Sequence, residues 1–113
     1  MLFRSRDYKI NVIDTPGLDD FIGEVISSIR VCDTAVILLN AQHGVEVGTE
    51  LLWSYVDKYN KPTILAINQL DHELANFNET LEQARRFFGN AVTVMQYPVT
   101  TGAGFNAIID LLK

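Results

Sequence analysis

Hydrophobic and polar positions alternate along this chain in segments that switch between strand-like and helical spacing. Lys9–Ile13 alternates weakly and runs into Asp-Thr-Pro-Gly, a strand followed by a stop. Ile22, Val25, Ile26 and Ile29 fall at the i, i+3, i+4, i+7 spacing of an amphipathic helix, and Asp19 and Asp20 stand where its cap belongs. Ala35–Leu39 is apolar without alternation, the pattern of a strand covered on both faces. Gln42-His43-Gly44 marks a turn. A second helix is predicted from about Thr49 to Tyr59, with Leu52, Tyr55, Val56 and Tyr59 on one face. Lys58 and Lys61 favour its negative end, and Pro62 stops it. Thr63–Ile67 reads as a third strand and Phe77–Phe88 as a third helix closed by Gly89. Ala91–Tyr97 reads as a fourth strand, and Phe105–Leu112 is too short to assign. Strands alternating with helices predict an α/β fold: a parallel, right-handed βαβ sheet with helices on both faces.

Composition narrows the classes of function. The chain has 113 residues, enough for one domain with a real core, and 48% of them are hydrophobic, so a disordered chain is excluded. A formal net charge of −5 with no basic run argues against autonomous nucleic-acid binding, which needs a basic face. No apolar run reaches the length of a membrane span, and Met1–Arg6 lacks the apolar core of a signal peptide; the expected location is cytoplasmic. The single cysteine, Cys32, excludes an internal disulfide and reads as a buried, inert thiol. His43 and His72 have no second ligand at metal spacing. Trp53 falls off the inward stripe of its helix. It is either half-buried against a neighbouring element or a contact for another part of a larger protein.

Chemistry concentrates in two tetrapeptides, Asp14-Thr15-Pro16-Gly17 and Asn68-Gln69-Leu70-Asp71, each ending an apolar run. Polar groups at the carboxyl ends of parallel strands sit where open α/β sheets bind ligands. Asp71 can accept both donors of guanine, N1–H and the 2-amino group. Adenine lacks that donor pair and would leave the carboxylate unpaired. Asn68 can hold the loop and donate toward the other edge of the base. In a GTPase the Asp of DTPG accepts a hydrogen bond from a water on Mg²⁺, and the Gly N–H approaches the γ-phosphate unhindered by a Cβ. Alone, each tetrapeptide also reads as an ordinary turn. Together, in this order and at two strand ends, they are the γ-phosphate and guanine elements of a GTPase. No G-x-x-x-x-G-K-[ST] loop occurs in the sequence.

From Asp7 to Lys113 the sequence resembles the G domain of elongation factor G, a translational GTPase that drives translocation on the ribosome. The resemblance rests on INVIDTPGLDDF, EVISSIRVCDTAV, GVEVGTE, KYNKP, NQLD, ANF at Ala75–Phe77 and GFNAIIDLLK. Ribosomal protection proteins and release factor 3 share much of this pattern. The resemblance implies a P-loop NTPase-type parallel sheet with flanking helices, incomplete, with the first strand and the phosphate loop missing. Residues 1–113 would then form a partial GTP-binding domain. It also implies that the parent binds GTP and Mg²⁺ and acts on the ribosome, through Asp14, Thr15, Pro16, Gly17, Asn68, Gln69 and Asp71, with Asp14 reaching the metal through water.

Two departures qualify this picture. Family members carry a His directly after DTPG, which orients the attacking water; here it is Leu18, which offers no hydrogen bond. Losing such a residue costs on the order of 10²–10⁴ in rate. The usual Lys of the guanine loop, whose stem lies along the purine, is replaced by Gln69. The expectation is therefore that no catalytic residue remains at position 18, and that the isolated chain neither hydrolyses GTP nor binds it usefully. A non-catalytic GTPase-like scaffold is the rival expectation. In this fold the strand before the phosphate loop lies between the strand ending at Asp14 and the one at Ala35–Asn40. Its absence predicts self-association of the chain, or an N-terminal segment that fills the slot.

Overall fold

A computed structural model describes residues 1–16 and 22–112. The described elements are three helices and six strands, the strands arranged as three two-stranded sheets. The chain opens with a hairpin of β1 (Leu2–Ser5) and β2 (Tyr8–Asn11), antiparallel, with Leu2 opposite Asn11 and Ser5 opposite Tyr8. The register leaves a two-residue turn, Arg6-Asp7, and Arg6 adopts φ 54° to close it. Beyond β2 the pairing continues one step. Val12 N–H donates to Met1 O at 2.6 Å, and the Met1 ammonium donates to Val12 O at 2.7 Å. The expected strand at Lys9–Ile13 is thus present, shifted by about one residue, but it pairs with the N-terminal segment and, among the described residues, joins no parallel sheet.

The parallel pair is the centre of the molecule. After α1 (Ile22–Val31) come β3 (Ala35–Asn40), α2 (Val47–Lys58) and β4 (Thr63–Asn68), a βαβ unit with Ala35 opposite Thr63 and Asn40 opposite Asn68. Then follow α3 (Phe77–Phe88), β5 (Gln96–Pro98) and β6 (Ile108–Asp110), the last two antiparallel. The predicted fourth strand at Ala91–Tyr97 is therefore shortened. Val92 N–H turns back to Gly89 O, and Gln96–Pro98 pairs with Ile108–Asp110 instead of extending β4. Ile108–Asp110 lies in the segment whose pattern was too short to assign.

Helix ends follow local chemistry. Asn60, at φ 52°, closes α2: its N–H donates to Asp57 O and the Lys61 N–H to Val56 O, a Schellman arrangement, and Pro62 follows. Lys61 itself serves α1, not α2 as its position in sequence suggested. Its ammonium donates to Cys32 O at 2.8 Å and Arg30 O at 3.3 Å, meeting carbonyls left open at a helix C-terminus. Asn76 caps α3, its Oδ1 accepting from Glu79 N–H at 3.1 Å. The expected capping of α1 by Asp19 and Asp20 lies outside the described residues.

All three helices converge on one face of the parallel pair. Val25 and Ile29 of α1, Ile37 and Leu39 of β3, Val56 of α2 and Ala84 of α3 form a single buried cluster. Leu39 and Val56 are each 1% exposed, burial that stabilises by roughly 1.5–3 kcal/mol per large side chain. The opposite face of β3 stays in solvent, with Val36 60% and Leu38 66% exposed, and Ile64 beside them on β4 is 50% exposed. This corrects the expectation of helices on both faces. The apolar run of β3 is two-sided in sequence, but the described elements cover only one side. Cys32 is half-buried, not fully buried, with Sγ donating to Ile29 O. Trp53 is half-buried and meets Phe88 of α3 with ring centroids 4.8 Å apart, the first of its two sequence alternatives.

Candidate nucleotide site

The carboxyl ends of β3 and β4 finish in step, which places Asn40 beside Asn68. One residue later the chain leaves β4 through Gln69 at φ 60°, a left-handed conformation unusual for a residue with a Cβ. His72 N–H donates to Gln69 O at 3.1 Å and closes the turn that carries Leu70 and Asp71. Three neighbours brace this loop. Ala41 N–H donates to Asn68 O at 3.0 Å, continuing the parallel ladder. Gly102, at φ 87°, donates its N–H to Leu70 O at 2.8 Å. On the exit side, Ala75 N–H donates to His72 O and Asn76 N–H to Ala41 O, which carries the chain into α3. Thr80, 2% exposed, adds its hydroxyl to Ala41 O at 3.3 Å.

The side chains divide into two sets. Asn68 and Asp71 are exposed, and among the described residues neither side chain has a hydrogen-bond partner in the protein. Gln69 is also exposed but engaged: its Oε1 accepts from Asn40 Nδ2 at 2.9 Å, while Asn40 Oδ1 accepts from Gln42 N–H at 2.8 Å. A braced backbone that presents a free carboxylate and a free amide suits a planar ligand with adjacent donors, as guanine has. His72 does not join this set, because its Nδ1 accepts from Leu74 N–H at 3.1 Å. His43 lies exposed in the preceding turn.

The DTPG element is described only in part. Asp14 and Pro16 are exposed and Thr15 is half-buried, in the segment beyond β2, whereas Gly17 and Leu18 lie outside the described residues. No hydrogen bond among the described residues links Asp14–Pro16 to the Asn68–Asp71 loop. No group of three or more His, Cys, Asp or Glu side chains among the described residues is placed to hold a metal ion. For Mg²⁺ and a triphosphate the described residues offer Asp14.

Asn40, Ala41 and Gly102 were not singled out from the sequence. The signal for Asn40 is there in retrospect: AVILLN and TILAIN are six-residue runs that both end in Asn, so in-register parallel pairing brings the two amides together.

Comparison with known proteins bears on this arrangement. The family described as "Elongation factor Tu GTP binding domain" matches residues 1–112. An "Elongation factor G-like protein" from Thermotoga maritima is 38% identical over 105 residues, covering 93% of this chain and 15% of that protein. A crystal structure of a protein from Thermus thermophilus superposes with a TM-score of 0.88 at 27% identity, covering 96% of this chain and 16% of that one. The chain therefore spans about one-seventh of the length of the relatives it matches.

Proposed function

The chain belongs to the elongation factor Tu GTP-binding domain family, and on that premise we propose that it is the central part of the G domain of an elongation factor G-like translational GTPase. The observation that carries this reading is the Asn68–Asp71 loop, fixed at the end of the parallel pair with the Asn68 and Asp71 side chains exposed. Asp71 accepts the paired donors of guanine, and Asn68 supports the loop and donates toward the other edge of the base. Asp14 accepts from a water on Mg²⁺, and Thr15, Pro16 and Gly17 bring a backbone N–H toward the γ-phosphate. The bound GTP and Mg²⁺ supply the scissile phosphoanhydride and the charge that holds it. The full protein acts on the ribosome, in translocation or, as a ribosomal protection protein, in a related step, and works in the cytoplasm. This chain by itself hydrolyses no GTP.

Leu18 and Gln69 favour a second reading, a GTPase-like scaffold that makes ribosomal contacts without catalysis, because both replace the polar or charged residue that such a GTPase uses. One experiment separates the two. In the full-length protein that carries this segment, Leu18→His should raise ribosome-stimulated GTP hydrolysis by roughly tenfold or more and leave GTP affinity unchanged, since the imidazole addresses water and not the nucleotide. Equal rates before and after the substitution would show that another group positions the water, or that no hydrolysis occurs and the scaffold reading holds.

A further inference from the structure

Asn40 belongs to no motif, yet its side chain ties the base loop to the turn that follows β3. The parallel register sets it beside Asn68 at the end of the sheet. Its Oδ1 accepts the Gln42 N–H at 2.8 Å. Because that oxygen must face a donor, the opposite end of the amide is the Nδ2, and it donates to Gln69 Oε1 at 2.9 Å. Gln69 is one of three described non-glycine residues with positive φ, at 60°. A residue with a Cβ leaves that region unless its surroundings hold it there. Its main-chain tie is the carbonyl, which accepts from His72 N–H, and its side-chain tie is Asn40.

We propose that Asn40 is a positioning residue for guanine recognition: through the Gln69 side chain it holds residue 69 in the left-handed conformation that sets Asn68 and Asp71 toward the base. The inference rests on the guanine reading of that loop. Gln69 then acts as the link between strand β3 and the loop, and Asn68 and Asp71 do the reading. This also gives the Gln at position 69 a role of its own. A neutral amide pairs with the neutral amide of Asn40 without burying or stranding a charge.

The test uses the chain as it stands, with GMP as probe and AMP as control, read by backbone amide chemical shifts. In the unsubstituted chain GMP should shift the amides of Asn68–Asp71 and AMP should not. Asn40→Ala should weaken the GMP response by about three- to tenfold, the worth of one polar hydrogen bond, and should move the Gln69 amide shift and its φ-dependent coupling constant away from the left-handed value. Asn40→Asp combined with Gln69→Lys should restore both readouts, because an ion pair replaces the amide pair. Gln69→Gly should bind GMP better than Gln69→Ala, since glycine keeps positive φ without the tie. A chain that responds to GMP and keeps the same affinity and the same Gln69 coupling after Asn40→Ala would overturn the positioning role. Equal losses for Gln69→Gly and Gln69→Ala would overturn the conformational part. An unsubstituted chain whose loop ignores GMP would overturn the guanine reading, and the positioning role with it.

Discussion

Gly44 shows how a single backbone angle ties the sheet to α3. It follows β3 in the turn that leads to α2, is buried, and sits at φ 67° with its N–H donating to Asn40 O at 2.8 Å. A Cβ placed there would run into the side-chain amide of Gln83 on α3, and that amide is in use, its Oε1 accepting from Val45 N–H at 2.9 Å. Gln83 can swing aside, but only by releasing Val45; the backbone angle remains unfavourable for any L side chain. Gly44→Ala should therefore destabilise the chain by about 1–3 kcal/mol, read as a lower urea midpoint with an unchanged slope. An unchanged midpoint would mean that the turn relaxes to negative φ without loss. At the same scale, the turn at Asn68–Asp71 was legible in the sequence because an Asx-rich tetrapeptide follows the apolar run of β4. Asn40 was not, because its importance depends on a register between two strands that are far apart in sequence.

Strand β3 has one hydrogen-bonded neighbour among the described strands. It bonds to β4 and to no other strand among the described residues, and its outward residues Val36 and Leu38 are exposed. AVILLN carries no charge, no proline and no glycine, the composition of an edge with nothing to discourage pairing with another chain. The N-terminal hairpin does not pair with it: β1 and β2 form their own two-stranded sheet. We expect self-association at high concentration, visible by light scattering, and suppression of it by Leu38→Lys with little loss in the urea midpoint. A strictly monomeric unsubstituted chain would contradict this. The helices were legible because their 3.6-residue periodicity reports directly on the buried stripe: Val25 and Ile29, Val56, and Ala84 all reach the core. The covered face of β3 was not, since a continuous apolar run carries no record of which side has a neighbour. The length of the fourth strand was also lost, because Gln96–Pro98 takes its partner from Ile108–Asp110, a choice made by tertiary pairing and not by local propensity.

At the scale of the whole molecule, the guanine reading places the base end of a nucleotide site on the described residues, with Asp14 the described residue at the phosphate end. The base end rests on the parallel pair, the start of α3 and the Gly102 loop, and it is fixed by hydrogen bonds on each side. The phosphate end offers Asp14 beyond β2, and the sequence contains no glycine-rich loop with its lysine. In nucleotide-binding proteins of this kind the backbone and lysine of that loop cradle the phosphates, so a base-reading loop on its own leaves most of the triphosphate in water. The family match covers residues 1–112, and the chain covers 15% of the Thermotoga maritima relative, so it spans a small part of that protein's length. Calorimetric titration of the chain with GTP, with and without Mg²⁺, is the most direct test of binding through the base-reading loop alone. A Kd of about 1 mM or weaker is expected, an interaction of about 4 kcal/mol at most, insensitive to Mg²⁺. Micromolar, Mg²⁺-dependent binding would contradict it.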